Sequence, residues 1–439
     1  MTHDHLKLVE DEKLSRLRSK LTAMQTERES WTDVKTQTTV DVPTQLQNHE
    51  PGWFEKLFAQ LEVPGEIALP DGSLVSFGSG APRFRVTVHD KGLLRRPHDE
   101  LSLGEAYVQG KIDLEGDMLA MLEVRKQLAD RFRVGGWLRF MTDLFLLPAT
   151  RAHKKAIEHH YTLGNDFYLH FLDSFGRFYS HCLFERDDQT LEQAAEYKLE
   201  KTFQALDLRP GMRLLEIGVG WGGTLEYCCR RGVKVTGLTL YQDSYDYVQE
   251  IIRRNGFDGK VIMQDFLTYQ PDEPYDAIVI YGVIEHIPEY RKLFERFWSC
   301  LKPGGKVYLD GSATKEKYSL SKFARRYIWQ ANSSCMCLQD VIQEALYHGF
   351  NVEEVKEESH DYELTMLHWS QRLDAHRKEI VAKWGEELYR TFRLYLWAGV
   401  PAFRDDQLQA YHLVARRGAG RGPRPGLARR VAALIKQMA

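Results

Sequence analysis

The segment LLEIGVGWGG, Leu214–Gly223, constrains this chain more than any other. An apolar stretch of strand type carries Glu216 and runs into a loop in which glycine recurs as G-x-G-x-G-G. The loop opens a segment of helical pattern. Glycines at such a turn let the backbone approach a ligand with no Cβ in the way, and the ligand then sits at the carboxyl end of a sheet strand. A G-x-G alone also fits dinucleotide folds. A carboxylate at the position of Glu216 suits the amino-acid end of S-adenosylmethionine, which makes Glu216, Gly218, Gly220, Trp221 and Gly222 candidate contacts to that cofactor.

The following pieces agree. KVTGLTL (Lys234–Leu240) is a second strand with Thr239 at its end, near a ribose position. KVIMQDF (Lys260–Phe266) is a third, ending in Gln264, Asp265 and Phe266; Asp265 can accept from an adenine amino group and Phe266 can pack on the ring. YDAIVIYGVIEHI is a fourth, leading to Glu285 and His286. LKPGGKVYL reads as a helix stop, a turn and a strand, and residues 311–412 read as aromatic-rich helices. Apolar strands alternating with helices predict an α/β fold with a parallel, doubly wound sheet. The order of pieces is that of class I methyltransferases, a Rossmann-like architecture. An NAD-binding domain would want an acidic ribose anchor at the end of the second strand, where Thr239–Tyr241 stand.

The chain has 439 residues, more than one core usually serves. Residues 1–50 read as a flexible polar segment with a helix around Glu10–Glu29, and 51–125 as a small mixed domain punctuated by Gly and Pro. Residues 126–158 are a basic connector whose Trp137, Leu138, Phe140, Met141, Leu144, Phe145 and Leu146 suit a membrane surface or a buried interdomain helix equally. Residues 159–415 form the catalytic domain. The tail, 416–439, has seven basic residues and no acidic ones; anionic lipid is its natural partner, at about 1 kcal/mol per basic side chain near a surface, and a solvated tail suits it equally. A net charge of −3 gives no global pull toward nucleic acid. No apolar run is long enough to span a bilayer and no secretory signal stands at the N-terminus, so the expectation is a cytoplasmic enzyme, peripheral on the inner face of the membrane. Six sparse cysteines show no zinc spacing, and no metal site is expected.

Longer motifs narrow the class. HHYTLGNDFYLHFLDSFGRFYSHCLFE (His159–Glu185), LEIGVGWGG, the Glu285–His286 pair and DYELTMLHW (Asp361–Trp369) resemble the signature of the cyclopropane-fatty-acyl-phospholipid synthase family, which includes the mycolic acid methyltransferases. SLGEAYVQGKIDLEGDMLAML (Ser102–Leu122) resembles the N-terminal lipid-handling domain of its phospholipid-acting members. The resemblance runs over roughly residues 60–412. It implies C-methylation of a cis double bond in a phospholipid acyl chain, through a carbocation that then loses a proton. It adds Tyr179 and Ser180 as cofactor contacts and suggests a homodimer. Such chemistry wants a water-poor tunnel, cation-stabilising groups and a base; the aromatic supply is Tyr327, Trp329, Tyr362, Trp369, Tyr395 and Trp397.

In the family the base is a bound bicarbonate. Of its ligands, Glu285 and Tyr362 are retained here. The family's Cys falls on His181, its His on Asp310 and its small backbone contributor on Ser312, while a Gln near the cofactor falls on Ser244. With Asp310 and His181 in these places, either could serve as the base, with His181 bonded to Asp310. The plain alternative is that Asp310 is structural and bicarbonate binds regardless. The product is then a cyclopropane or a methyl- or methylene-branched chain. Two other functions stay open: a small-molecule N-methyltransferase of the same fold, and a non-catalytic lipid-binding relative.

Overall fold

The computed structural model describes residues 61–94, 100–131, 163–329 and 333–420, with the side chains of 125–131 left aside. The expected helix around Glu10–Glu29, the apolar part of the connector and most of the basic tail lie outside these residues.

A four-stranded sheet comes first. It consists of β1 (Gly65–Ala68), β2 (Leu74–Phe77), β3 (Phe84–Val88) and β4 (Ile112–Gly116) in the order β2-β1-β3-β4, with only β1 and β3 parallel. Alternation of apolar and polar residues in β3 puts Phe84 and Val88 inward, as a half-buried strand requires. These two join Ile67, Phe77 and Ile112 in a core of their own, covered by α1 (Glu100–Val108) and α2 (Met118–Arg131).

The rest of the chain builds a seven-stranded sheet. After α3 (Asn165–Leu169) and α4 (Leu191–Ala205) come β5 (Arg213–Ile217), α5 (Gly223–Cys229), β6 (Lys234–Thr239), α6 (Gln242–Asn255) and β7 (Gly259–Met263). Then follow β8 (Tyr275–Tyr281), α7 (Tyr290–Cys300), β9 (Leu301–Ala313), α8 (Lys322–Tyr327), α9 (Leu338–Tyr347), β10 (Phe350–Glu357), α10 (Ser359–Ala375), α11 (Arg377–Trp384), α12 (Glu386–Arg404) and β11 (Gln409–Arg417). The order is β10-β11-β9-β8-β5-β6-β7. The five strands β9, β8, β5, β6 and β7 are parallel, in four neighbouring pairs, and β11 runs antiparallel to both β9 and β10. Successive residues of β5 bury into opposite layers, Leu214 into one and Leu215 into the other, which is why this strand reads as a continuous apolar run. Strand order reverses between β5 and β8, and the carboxyl ends of those strands define the binding crevice.

Three expectations change. The segment 311–412 is not all helical: β10 and β11 close the sheet. LKPGGKVYL contains no separate turn, because β9 runs through it, and the Pro-Gly-Gly piece bulges where Tyr275 pairs with Leu301 but Ala277 with Lys306. The third strand stops at Met263, so Gln264–Phe266 lie just past its end. Among the described residues no helix is long and apolar enough to cross a membrane, and no group of His, Cys, Asp or Glu could hold a metal ion.

Candidate active site

The glycine loop adopts left-handed backbone at Gly218 (φ 77°), Gly220 (φ 50°) and Gly222 (φ 76°). A Cβ at Gly218 would lie 2.4 Å from Val283, while one at Gly220 would meet no heavy atom within 4 Å. The loop is therefore tight against the protein on one side and presents bare backbone on the other, the arrangement that admits a ligand. Ser244, on α6, donates to the Gly220 carbonyl at 2.6 Å and fixes the loop from behind. Trp221 is held by its indole N–H on Asn165 Oδ1 at 2.9 Å. Glu216 is buried beneath the loop, and one of its oxygens has no hydrogen-bond partner. Burial pushes its carboxyl up to about 8, against the opposing pull of Thr224 and the Leu225 amide in the next helix.

A second loop, Asp173–His181, packs onto the first. Asp173 is buried and accepts the backbone N–H groups of Gly176, Arg177 and Phe178. Arg177 donates to the Trp221 carbonyl at 3.0 Å and to Glu226 at 2.9 Å. The two backbones touch so closely that a Cβ at Gly223 would stand 2.0 Å from the Gly176 carbonyl oxygen. Tyr179 packs on Tyr168 and Trp369. The Ser180 hydroxyl accepts from Lys198 at 3.0 Å.

Thr239 is buried at the end of β6, and the next residue, Leu240, is 56% exposed, an apolar ledge that the sequence pattern does not distinguish from a core position. Asp265 uses a carboxylate oxygen to accept from the Leu267 amide at 2.8 Å. Gln264 is half-buried, its amide bonded to the Thr239 carbonyl at 3.0 Å. Phe266 departs from its expected role: its ring lies in the core, 5.5 Å from that of Phe297, rather than facing a cofactor.

The groups expected to handle the acceptor converge past β8 and β9. Glu285 is buried; one oxygen accepts from both the Ser312 amide and hydroxyl at 2.8 Å, and the other has no partner among the described residues. Burial pushes its carboxyl up. Tyr362 stacks on Phe403 with ring centres 4.1 Å apart and lies 4.9 Å from the His181 ring. Burial first, then the nearby Tyr395, Glu285, Asp310 and Cys335, push its hydroxyl well up. His286 bonds Ser333 at 3.1 Å, and burial lowers it to about 4, so it is neutral near pH 7.

The expected His181–Asp310 hydrogen bond is not formed. Asp310 instead pairs with Lys198 at 2.7 Å, both side chains fully buried, and accepts from the Gly282 amide at 2.9 Å. Lys198 also donates to the His181 carbonyl at 2.6 Å. His181 turns its Nε2 to Glu358, 2.9 Å away. Neither Lys198 nor Glu358 stands out in the sequence, because the partners of each lie on distant elements. The pair leaves Asp310 neutralised. It also leaves little for bicarbonate: the Ser312 donors are spent on Glu285 and those of Lys198 on three acceptors, so an added anion would stand beside the Glu285 and Asp310 carboxyl groups with His181 Nδ1 open but no lysine or arginine donor to spare. These residues do not fit it.

The aromatic set divides. Tyr362 and Trp369 stand beside the site. Trp397 donates to Asp374 at 3.0 Å, and Tyr327 to Glu105 of the small domain at 3.4 Å. That contact belongs to a broader clamp. On α12, Arg390 donates to the Tyr107 and Ile112 carbonyls and pairs with Asp113 at 2.6 Å. Arg393 reaches the Tyr107 hydroxyl, the Leu114 carbonyl and Asp374.

Comparison with known proteins bears on this arrangement. The sequence model of the family described as mycolic acid cyclopropane synthetase matches residues 149–413, and a domain family of unknown function (DUF7884) matches 53–134. The cyclopropane-fatty-acyl-phospholipid synthase of Escherichia coli K12 is 30% identical over 337 residues, 74% of this chain and 85% of that protein. A probable fatty acid methyltransferase of Pseudomonas putida is 27% identical over 374 residues, 81% and 92% of the two chains. The crystal structure of a mycolic acid cyclopropane synthase, CmaA1, complexed with SAH and CTAB superposes with a TM-score of 0.56 at 27% identity, covering 62% of this chain and 100% of that one. Coclaurine N-methyltransferase, at 18% identity, shares the fold with a TM-score of 0.59. With the glycine loop fitted to S-adenosylmethionine, the chain belongs to the mycolic acid cyclopropane synthetase family and is an S-adenosylmethionine-dependent methyltransferase.

Proposed function

We propose that the enzyme C-methylates the cis double bond of unsaturated fatty acyl chains in membrane phospholipids, giving a cyclopropane or a methyl- or methylene-branched chain. One observation carries the reading. Two buried polar atoms without a hydrogen-bond partner among the described residues, Glu285 Oε2 and His181 Nδ1, belong to side chains near Tyr362, within aromatic surroundings. An amine substrate would bring its own charge and want water or carboxylates at the entrance, whereas a carbocation wants this water-poor, electron-rich enclosure.

Bound on the glycine loop, S-adenosylmethionine would supply an electrophilic methyl group, and Glu216, Thr239, Leu240, Tyr179 and Ser180 are the residues that would hold it. Glu285 stabilises the cation: a positive charge nearby draws out the carboxylate that burial suppresses. Tyr362 and Trp369 add their ring faces. Asp310, tied to Lys198, holds the Gly282 turn and does not move protons. With it goes a division of labour in which residues 51–125 handle lipid and 159–415 perform the chemistry. Peripheral contact with the inner membrane face and a homodimer complete the proposal.

Mass spectrometry of lipids from cells expressing the protein tests it. Acyl chains heavier by one CH₂ are expected, with the position of the addition marking the former double bond. Methylation confined to a small amine, or S-adenosylmethionine binding with no turnover on lipid vesicles, would refute it.

A further inference from the structure

A proton must leave an acyl chain held where water is excluded, and one buried line of groups leads away from that place. His181 sits at its inner end. Its Nδ1 has no hydrogen-bond partner among the described residues, and its ring lies against Tyr362. Its Nε2 meets Glu358 Oε2 at 2.9 Å, and Glu358 Oε1 meets His412 Nδ1 at 2.6 Å. The far nitrogen of His412 lies 3.5 Å from Glu354, a carboxylate 51% exposed. His181 and Glu358 are fully enclosed and His412 nearly so. The line therefore runs imidazole, carboxylate, imidazole, surface carboxylate.

Three ionisable groups buried in series are costly to keep, since each must be desolvated. A structural brace between the loop, α10 and β11 needs only hydrogen bonds, which neutral side chains supply. Alternating acceptors and donors that can each exchange a proton supply something else. The two imidazoles hold Glu358 well below the usual carboxylate range against the opposing effect of burial, so it stays ionised between them. The groups facing the line are few. Lys356 lies 3.9 Å from Glu358 at the outer side, Asp361 starts α10 beside His181, and Tyr308 stacks on His412 with ring centres 4.9 Å apart. Tyr362 covers the inner end.

We propose that His181, Glu358 and His412 form a proton relay that conducts the proton lost by the methylated acyl chain from His181 Nδ1 out to Glu354 at the surface. The inference rests on the acyl-chain methylation proposed above. In that reaction the alkene π pair forms a bond to the methyl carbon, the sulfur–methyl bond breaks with its electrons on sulfur, and the neighbouring chain carbon is left cationic. A C–H bond of the added methyl then gives its electron pair to that carbon, closing a ring, or to a new double bond. Its proton binds His181 Nδ1. The Nε2 proton of His181 moves onto the Glu358 carboxylate, Glu358 hands a proton to His412 Nδ1 with His412 in the tautomer that carries its proton on Nε2, and that Nε2 proton leaves by Glu354 and water. One proton enters the line and one leaves it. His181 touches the reacting atoms; Glu358, His412 and Glu354 act through it.

The test uses the full-length enzyme on vesicles of unsaturated phospholipid. His412→Gln keeps a donor for Glu358 yet cannot pass a proton. The ratio of deprotonated lipid product to S-adenosylhomocysteine formed is expected to fall about 100-fold, the range of general acid–base contributions, with hydroxylated chains from water capture making up the difference. Added imidazole should restore part of the ratio, and the pH profile should change shape. Glu354→Ala, on the surface, gives the same direction in milder form and serves if His412→Gln does not fold. Wild-type product ratio, pH profile and solvent isotope effect in Glu354→Ala and in folded His412→Gln would overturn the relay while leaving the methylation standing. No methylated lipid from the wild type would overturn the reaction and the relay with it.

Discussion

Lys198→Met removes the only cation in contact with Asp310 among the described residues, and with it the ammonium over the Phe178 and Tyr281 rings, while keeping an unbranched apolar stem. Three acceptors lose a donor: the Asp310 carboxylate, the Ser180 hydroxyl and the His181 carbonyl. All are buried, so no water replaces it. Breaking a buried pair from one side costs about 3–5 kcal/mol, because the surviving charge stays desolvated. Lys198→Met/Asp310→Leu removes both charges and should return stability to within about 2 kcal/mol of wild type, as replacing whole buried pairs does elsewhere. The urea midpoints of the two single variants and the double, read as a double-mutant cycle, measure the coupling. Additive costs, or a Lys198→Met variant within about 1 kcal/mol of wild type, would mean that the pair is solvated and that Asp310 is available to act as a base.

Further outcomes are expected. Gly223→Ala puts a methyl group into the Gly176 carbonyl, which is backbone and cannot swing aside; calorimetry should show S-adenosylmethionine affinity weakened at least about tenfold, about 1.4 kcal/mol. Glu216, raised to about 8 by burial, holds a proton in the folded, ligand-free protein that the unfolded chain has given up above its ordinary range near 4.5. Its stabilisation is full below that range and is lost as pH rises through 8, so stability should fall by about 1.4 kcal/mol per pH unit between 5 and 8, a slope that Glu216→Gln abolishes. Arg393→Met strips two acceptors of the small domain and Asp374 of a partly buried guanidinium; limited proteolysis should release the small domain faster, with a stability loss of about 2–4 kcal/mol.

The central strands and the glycine loop were legible because both depend on local pattern. β5 and β8 are buried on two faces and read as apolar runs, and the glycine positions follow from left-handed backbone that other residues resist. Glu285 was legible for a related reason, as a carboxylate straight after an apolar strand. β10 escaped because it is an edge strand with most of FNVEEVKE exposed, so its charged residues read as a helix surface. β11 was hidden by its neighbourhood, a strand following three helices. Phe266 was misassigned since sequence places a ring near the cofactor end of β7 but not the face to which it turns. The largest gap concerns Glu358. Its partners, His181 and His412, are 177 and 54 residues away, and no periodicity links the residue that caps α10 to a loop and to the far antiparallel strand. Asp310 and Lys198 are likewise far apart in the chain, on β9 and α4, and so an aspartate where a histidine was expected looked like a base.

Helix α12 grips the small domain through Arg390 and Arg393, and ten residues after Arg393 it offers Phe403 as the surface on which Tyr362 rests. The rise of an α-helix puts those two points about 15–20 Å apart along one axis. The helix carries Pro401 two residues before Phe403, where one ladder bond is missing, so it links the two points as a strut with a joint near its Phe403 end. Loosening the grip should therefore be felt first as disorder in Tyr362, measurable in its ring-flip rate, before any loss of the small domain itself.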